Sequence, residues 1–399
     1  MTRSETISSG PERPLRVLLA GNFPADRQQS MLRFGDLLRD GLAAAGHEPH
    51  LECPRPRFAR LARPYRYDGF PKLLGYLDKF VVYPTRLRAV AARLRPDVVH
   101  VVDHANAACV TGLAFPALCT CHDLLRIRAA AGEIPGQTPG RAARAFQRWI
   151  LDHIRRLPHA ACVSETTRGD LLRLTGWSPD RATVIPNGLN HPYRRRTPAE
   201  AAATLAPLVA GGALPAGLVR PDGFLVNVGG GQWYKNRPGL LALYARLRTV
   251  LPGCPDLVMV GKPLGATDRA LVERLGLDAF VHVVLGPSNP ELEALYSLAA
   301  GLVFPSLAEG FGWPVAEAQA CACPVFTSDR PPLPEVGGDA AIYFDPTDPA
   351  AAAAAIARAW PDRERLGTAG LARAPVWAPT RMIERYLALY RSLVPPTRE

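Results

Sequence analysis

The sequence predicts an α/β protein of two doubly wound domains facing a cleft, and three observations carry that prediction. Short apolar runs alternate with helix-like segments over almost all of the 399 residues, the pattern of strand–helix–strand units on a parallel sheet. The runs are continuously apolar rather than alternating, as burial on both sheet faces requires. The alternation comes in two blocks around a Pro/Gly/Ala-rich region at about 190–221, and the chain exceeds the ~100–200 residues of one ordinary domain.

In the first block Leu15–Ala20, His47–Cys53, Asp97–Val102, Ala117–Cys121 and Ala160–Val163 read as strands. Met31–Ala45, Thr85–Arg95 and Arg141–Arg156 read as helices between them. In the second block Phe224–Val228, Leu257–Val260, Val281–Leu285, Leu302–Pro305 and Pro324–Thr327 are the strands. Arg237–Leu251 and Trp313–Cys321 are among its helices. No internal repeat interrupts the pattern.

Composition excludes several other classes. Hydrophobic residues are 48% and charged residues 21%, ordinary globular usage, and Gly plus Pro stay below the ~25–30% of a low-complexity chain. The first fourteen residues hold no apolar core, so they read as a loose tail rather than a secretory leader. Ala201–Val219 is uncharged but holds Pro207, Pro215, Gly211, Gly212 and Gly217. It reads as a linker or a short helical pair, since a span needs ~20 apolar residues in continuous helix. The eight cysteines include no C-x-x-C and read as reduced, buried thiols of a cytoplasmic protein. Charge is lopsided: residues 1–200 carry 30 Lys and Arg against 18 Asp and Glu, and residues 201–399 carry 17 against 18. The first half is therefore expected to meet something anionic.

Ligands of doubly wound sheets bind beyond the carboxyl ends of the strands, so the residues after each run are informative. Gly21-Asn22-Phe23-Pro24 follows the first strand, and Gly229-Gly230-Gly231-Gln232 follows Val228. Neither is a G-x-G-x-x-G, which makes a dinucleotide-dependent oxidoreductase the poorer reading. The strongest signal runs from Ser306 to Glu317. A strand ends at Pro305, and Glu309-Gly310-Phe311-Gly312 leads into a helix with Pro314 in its first turn, where proline is tolerated. Bare amides at a helix start suit an anion, and the two glycines let one approach the backbone. Glu309 and Glu317 would repel a phosphate, so they fit as acceptors for sugar and ribose hydroxyls.

This E-x7-E pair with its E-G-F-G entry resembles the signature of the retaining glycosyltransferases of family 4, which have the GT-B fold of two Rossmann-like domains. Further matching pieces stand in the expected order: Thr120-Cys121-His122-Asp123, Val163-Ser164-Glu165, Val184 to Gly188, Val228-Gly229 through Lys235-Asn236, Val260-Gly261-Lys262, and Pro334-Glu335 through Pro346. The resemblance spans nearly the whole chain, is strong over 223–346 and loose before 120. It implies an acceptor-side domain at 1–190, a nucleotide-sugar donor domain at 191–376, and a terminal helix at 377–399 returning to the first domain.

It also implies roles. Lys235, one of only four lysines among 47 basic residues, would bind the donor diphosphate and stabilise the leaving group, as a compact ammonium can. His122 would contact the donor sugar and, with Lys235 and Glu309, make up the catalytic residues. Gly310, Phe311, Gly312, Glu317, Asn236, Arg237 and Gly21 complete the expected donor site. The sequence departs from the family at Gly230 and Tyr234, where an arginine is common, and leaves Arg237 as the candidate second cation. Of the other histidines, His100 and His104 flank a strand end and are expected near the cleft.

The stretch Arg55 to Tyr67 interleaves Arg55, Arg57, Arg60, Arg63 and Arg66 with aromatics. It reads as a lipid-facing or acceptor-facing surface, or as a solvated loop, and family context disfavours nucleic acid. The expectation is a cytoplasmic, metal-independent, retaining glycosyltransferase without cofactor. It would act on a nucleotide diphosphate sugar and a glycan or lipid-linked acceptor, and the charge of its first half adds an anionic membrane surface to its expected partners. The same residues leave open a nucleotide-sugar epimerase of this architecture and a non-catalytic nucleotide-sugar-binding module.

Overall fold

The computed structural model describes residues 13–62 and 69–394. Residues 1–12 of the N-terminal tail, and Arg63, Tyr65, Arg66 and Tyr67 of the basic stretch, lie outside the described residues.

The first half runs β1 (Arg16–Ala20), α1 (Gln29–Ala44), β2 (Glu48–Glu52), α2 (Gly69–Leu77), α3 (Tyr83–Leu94) and β3 (Val98–Val101). It continues with β4 (Ala117–Cys121), α4 (Leu125–Ala130), α5 (Arg141–Arg155), β5 (His159–Cys162), α6 (Glu165–Thr175) and β6 (Ala182–Val184). The second half begins with α7 (Pro198–Ala210), β7 (Phe224–Gly229), α8 (Arg237–Val250), β8 (Asp256–Gly261), α9 (Ala266–Arg274) and β9 (Val281–Leu285). It goes on with α10 (Asn289–Leu298), β10 (Gly301–Phe304), α11 (Trp313–Ala320), β11 (Val325–Ser328), α12 (Leu333–Gly337) and β12 (Ile342–Phe344). The helices α13 (Pro349–Ala359), α14 (Arg363–Arg373) and α15 (Pro379–Leu393) close the chain.

All strands pair in parallel, in the orders β2-β1-β3-β4-β5-β6 and β12-β11-β10-β7-β8-β9. The strand order reverses between β1 and β3 in the first sheet and between β7 and β10 in the second. Connections leave in opposite directions there and open a crevice, the usual place for a ligand. Both faces of each sheet carry apolar clusters, which is why the strands are continuously apolar.

One face of the first sheet is closed by the far end of the chain. On α15 the buried Met382, Ile383, Tyr386, Leu387 and Tyr390 recur at helical spacing and pack with Phe34, Leu38 and Leu42 of α1. Gly41 permits this, because a Cβ there would stand 2.6 Å from the Ile383 side chain. The two crossings between the sheets lie side by side. The Leu189 N–H donates to the Trp377 carbonyl at 2.9 Å, and Gly188 backs onto Pro379 so closely that a Cβ would meet it at 2.8 Å.

The edge strands differ from the sequence expectation. β6 and β12 have three residues each, too short to register as apolar runs. The Pro/Gly/Ala-rich region, where the sequence allows a linker or a short helical pair, holds a single turn at Ala216–Leu218 and a 13-residue helix, α7. Its start is a Thr197–Glu200 capping box with Pro198 at the first turn, and Ala201 and Leu205 bury it in the second core.

Candidate active site

The reversal point of the second sheet is built by the loops after β7 and β10. A short turn, Trp233–Lys235, ends at Asn236 in the left-handed region at φ 53°. The Asn236 amide accepts the Gly239 N–H and donates to the carbonyls of Pro305 and Pro346 at 3.1 and 3.0 Å. It thus caps α8 and ties the two loops together. The Leu307 N–H adds a second tie to the Tyr234 carbonyl at 2.7 Å. These ties aim Lys235 at Glu309: Nζ lies 2.7 Å from Oε1, and the two side chains are 16% and 9% exposed. At such depth the pair attracts more strongly than it would in water.

Gly310 joins this pair to the first half of the chain. A Cβ there would collide with the His122 carbonyl oxygen, and the Gly310 carbonyl accepts from Ser164 Oγ at 2.8 Å and Thr167 Oγ1 at 3.3 Å. Gly312 takes φ 106° and starts α11 with no side-chain cap. The glycines therefore serve a close backbone contact and a left-handed turn. Phe311 corrects the expectation for the E-G-F-G segment: it is 5% exposed and packs edge-on to Trp377 in the core, with ring centroids 5.3 Å apart. Its ring belongs to the second core.

Glu317 lies on α11, 6% exposed, and accepts from the Tyr296 hydroxyl at 2.9 Å. Burial pushes its pKa up to about 7, against the pull of Tyr296, Arg33 and Lys235. Arg237 is deeply buried and committed to its own domain. Its guanidinium donates to the carbonyls of Lys262 and Pro263 at 2.6 and 3.0 Å and reaches Asp268 at 3.4 Å. It pins the loop between β8 and α9, and the structure shows it in that role rather than as a second cation beside Lys235.

The reversal point of the first sheet carries a polar network that the sequence reading did not single out. The Asn22 amide donates to Asp103 at 2.8 Å and to Gln28 at 3.0 Å, and Asn106 donates to Asn22 at 3.3 Å. Burial works to raise the Asp103 pKa, but His104, His122 and the donated hydrogen bonds hold it below the usual carboxylate range. The signal was available, because Asn22 and Asp103 both sit two residues or fewer past a strand end. His122 is 8% exposed, with Nε2 2.9 Å from the Val102 carbonyl and its ring edge-on to Phe34 at 4.6 Å. A carbonyl only accepts, so Nε2 carries the proton. Burial pushes the ring's pKa down against the pull of Asp103, which leaves a neutral imidazole with Nδ1 as acceptor.

His100 departs from expectation. It is fully buried inside the first sheet, with Nδ1 2.7 Å from the Tyr390 hydroxyl and Nε2 2.7 Å from Thr120 Oγ1. It fastens α15 and does not face the cleft. His104 stays at the strand end, 3.4 Å from Asp103. Gly21 donates to the Glu52 carbonyl at 2.8 Å and lines a cavity of about 360 Å³ with Asn22, Met31, Leu32, Leu51 and Cys53. All the residues that line that cavity come from the first half of the chain.

A further contact between the halves comes from Glu335 of the Pro334-Glu335 piece. Its carboxylate accepts the N–H groups of Glu165 and Thr166 at 2.9 and 3.1 Å and the Thr166 hydroxyl at 2.6 Å. A carboxylate at the start of α6 is favoured by the helix dipole.

The chain matches the family described as "Glycosyltransferase Family 4" over residues 36–191 and the family described as "Glycosyl transferases group 1" over 217–370. It is 31% identical over 217 residues to the O-antigen chain mannosyltransferase B of Escherichia coli, covering 53% of this chain and 55% of that protein. The chain spans about half the length of the curated relatives it matches. Its fold resembles sucrose-phosphate synthase from Thermosynechococcus elongatus, with a TM-score of 0.72 at 21% identity over 95% of this chain and 99% of that one. It also resembles Anabaena Alr3699/HepE, solved in complex with UDP and glucose, with a TM-score of 0.68 at 14% identity over 95% and 100% of the two chains.

Proposed function

Since the chain belongs to the family 4, group 1 glycosyltransferases, with the two-sheet GT-B fold, we propose that it moves a hexosyl group from a nucleotide diphosphate sugar to a hydroxyl of a glycan or lipid-linked acceptor. The Lys235–Glu309 pair carries this reading. It sets a cation fit for a diphosphate beside a carboxylate fit for sugar hydroxyls, where Gly310 meets His122. The donor diphosphate lies at the uncapped start of α11 and at Lys235, its sugar at Glu309 and its ribose at Glu317. The acceptor enters from the cavity beside Gly21, in an acceptor-side domain of residues 1–190.

In the transfer, the bond from the anomeric carbon to the diphosphate oxygen breaks and its electron pair leaves with the diphosphate. The acceptor oxygen bonds to the same face, a phosphate oxygen takes its proton, and configuration is retained. Lys235 and the backbone amides stabilise the charge as it grows on the leaving group. They take the part a divalent metal plays elsewhere, so the reaction proceeds without one. The mannosyltransferase among the relatives makes mannosyl donors the first to test in polysaccharide, lipopolysaccharide or glycolipid synthesis. The basic first half supports a cytoplasmic setting against an anionic membrane surface.

Thermal shifts with UDP, GDP, ADP and dTDP, followed by transfer assays with the matching sugars, test the proposal. One nucleotide diphosphate should stabilise the protein, the product anomer should match the donor, and turnover should survive excess EDTA. Failure of all four to bind removes the donor-site reading. An inverted product, or activity lost to EDTA and restored by Mg²⁺, removes the mechanism.

A further inference from the structure

A line of exposed apolar side chains runs along the helix that follows the basic stretch. Phe70, Leu73, Leu77 and Val81 are 68%, 58%, 42% and 60% exposed, and their spacing of three, four and four residues puts them on one side of α2 and the turn after it. Leu61, 77% exposed, stands just before. The other sides of this helix are used: Leu74 and Gly75 are buried, and Tyr76 stacks on Phe146. Among the described residues, no other segment gathers as many exposed large hydrophobic side chains.

The arginines are fixed to the same surface. Asp78, fully buried just past α2, accepts the N–H groups of Arg57, Phe58 and Ala59 at 3.0, 2.9 and 2.9 Å. One carboxylate thereby holds the loop bearing the exposed Arg55, Arg57 and Arg60 against the helix bearing the apolar line. Lys79 pairs with Asp26 at 2.8 Å, which anchors that helix to the loop between β1 and α1, beside the Gly21 cavity.

We propose that this face of α2, with Arg55, Arg57 and Arg60, is a docking surface for an anionic lipid bilayer. Apolar side chains on one line enter the acyl boundary while arginines meet lipid phosphates, the arrangement of a helix lying in the interface plane. The charge decides between occupants. A second copy of this chain would bring arginines against arginines, whereas an anionic bilayer complements both the apolar line and the excess basic charge of residues 1–200. No helix among the described residues is long and apolar enough to cross a membrane, so this is attachment along a surface. That the docked face presents the Gly21 cavity to a lipid-linked acceptor rests on the proposed transferase activity; the docking does not, and its test needs no turnover.

Flotation with vesicles of phosphatidylglycerol and phosphatidylcholine, against phosphatidylcholine alone, provides that test. The protein should float with the anionic vesicles and release as salt shortens the Debye length from ~10 Å at 0.1 M to ~3 Å at 1 M. Arg55→Gln, Arg57→Gln and Arg60→Gln together should weaken binding about a hundredfold, at about fivefold per arginine. Leu73→Ser with Val81→Ser should weaken it at least tenfold with an unchanged melting temperature, since both side chains are exposed. Phe70→Trp gives a second readout without loss of apolar surface: its added emission should be quenched by brominated phosphatidylglycerol. Equal flotation with both vesicle types, no flotation, or no quenching overturns the proposal. So does a serine variant that floats normally but loses self-association in sedimentation, which would make this face an interface between copies.

Discussion

The backbone of Gly310 lies against the carbonyl of His122 with no room for a Cβ between them. The glycine of the donor-side loop is therefore fixed by the first half of the chain, as much as by any anion it meets. Gly310→Ala must displace the loop or part the two halves. It should lower stability by about 1–3 kcal/mol, the usual cost of overpacking. Turnover should fall well beyond that, because Glu309 is the preceding residue. An alanine variant with normal turnover and melting temperature would show that the contact is not held in solution.

Lys235→Ala should weaken nucleotide diphosphate binding and cut turnover about a hundredfold or more, the loss typical when one charge-stabilising donor is removed. Part of any stability change would come from Glu309, left buried without its cation. Lys235→Ala with Glu309→Gln separates the two effects: the neutral amide should recover stability while turnover stays low. Recovery of turnover in the double variant would refute the role of Lys235 at the leaving group.

Much of this arrangement was legible in the sequence because the informative residues follow strand ends. The continuous apolar runs placed ten of the twelve strands, and the E-x7-E pair and Lys235 stood out by type and spacing. What stayed hidden depended on the partner. Nothing in the sequence says that Phe311 turns inward to Trp377 while Glu309, two residues earlier, faces Lys235. Arg237 could not be told from a second phosphate ligand until the carbonyls of Lys262 and Pro263 were seen to hold it. His100 looked like a cleft residue because its partner, Tyr390, comes from the last helix. The apolar line on α2 was concealed for the opposite reason, since exposed and buried leucines look alike without a neighbour.

Tyr390→Phe removes the hydroxyl that satisfies His100 Nδ1 inside the first sheet. A buried nitrogen left without its partner costs about 1–3 kcal/mol, so the melting temperature should fall although only one oxygen is lost. Donor affinity should hold, because His100 and Tyr390 hydrogen-bond to neither Lys235 nor Glu309. A Tyr390→Phe variant as stable as the parent would mean that this hydroxyl contributes nothing to holding α15, which also keeps the Tyr386–Thr120 hydrogen bond at 2.8 Å.

His100 and Glu317 should pull stability in opposite directions over one pH window. Burial lowers the His100 pKa from 6.5 to about 3, so between those values the unfolded chain binds a proton that the folded chain does not. Its contribution is therefore complete above pH 6.5 and is lost as pH falls towards 3. Burial raises the Glu317 pKa from 4.5 to about 7, so there the folded chain holds the extra proton. That contribution is complete below pH 4.5 and is lost as pH rises through 7. From pH 4.5 to 6.5 the two slopes oppose each other, each worth at most about 1.4 kcal/mol per pH unit. Glu317→Gln should therefore gain stability over the parent as pH rises through this window, and His100→Gln should gain as pH falls. Urea unfolding at pH 4.5, 5.5, 6.5 and 7.5 measures both differences. A Glu317→Gln difference that does not change with pH would show that this carboxyl is not held protonated by the fold, and a flat His100→Gln difference would show the same of the neutral imidazole.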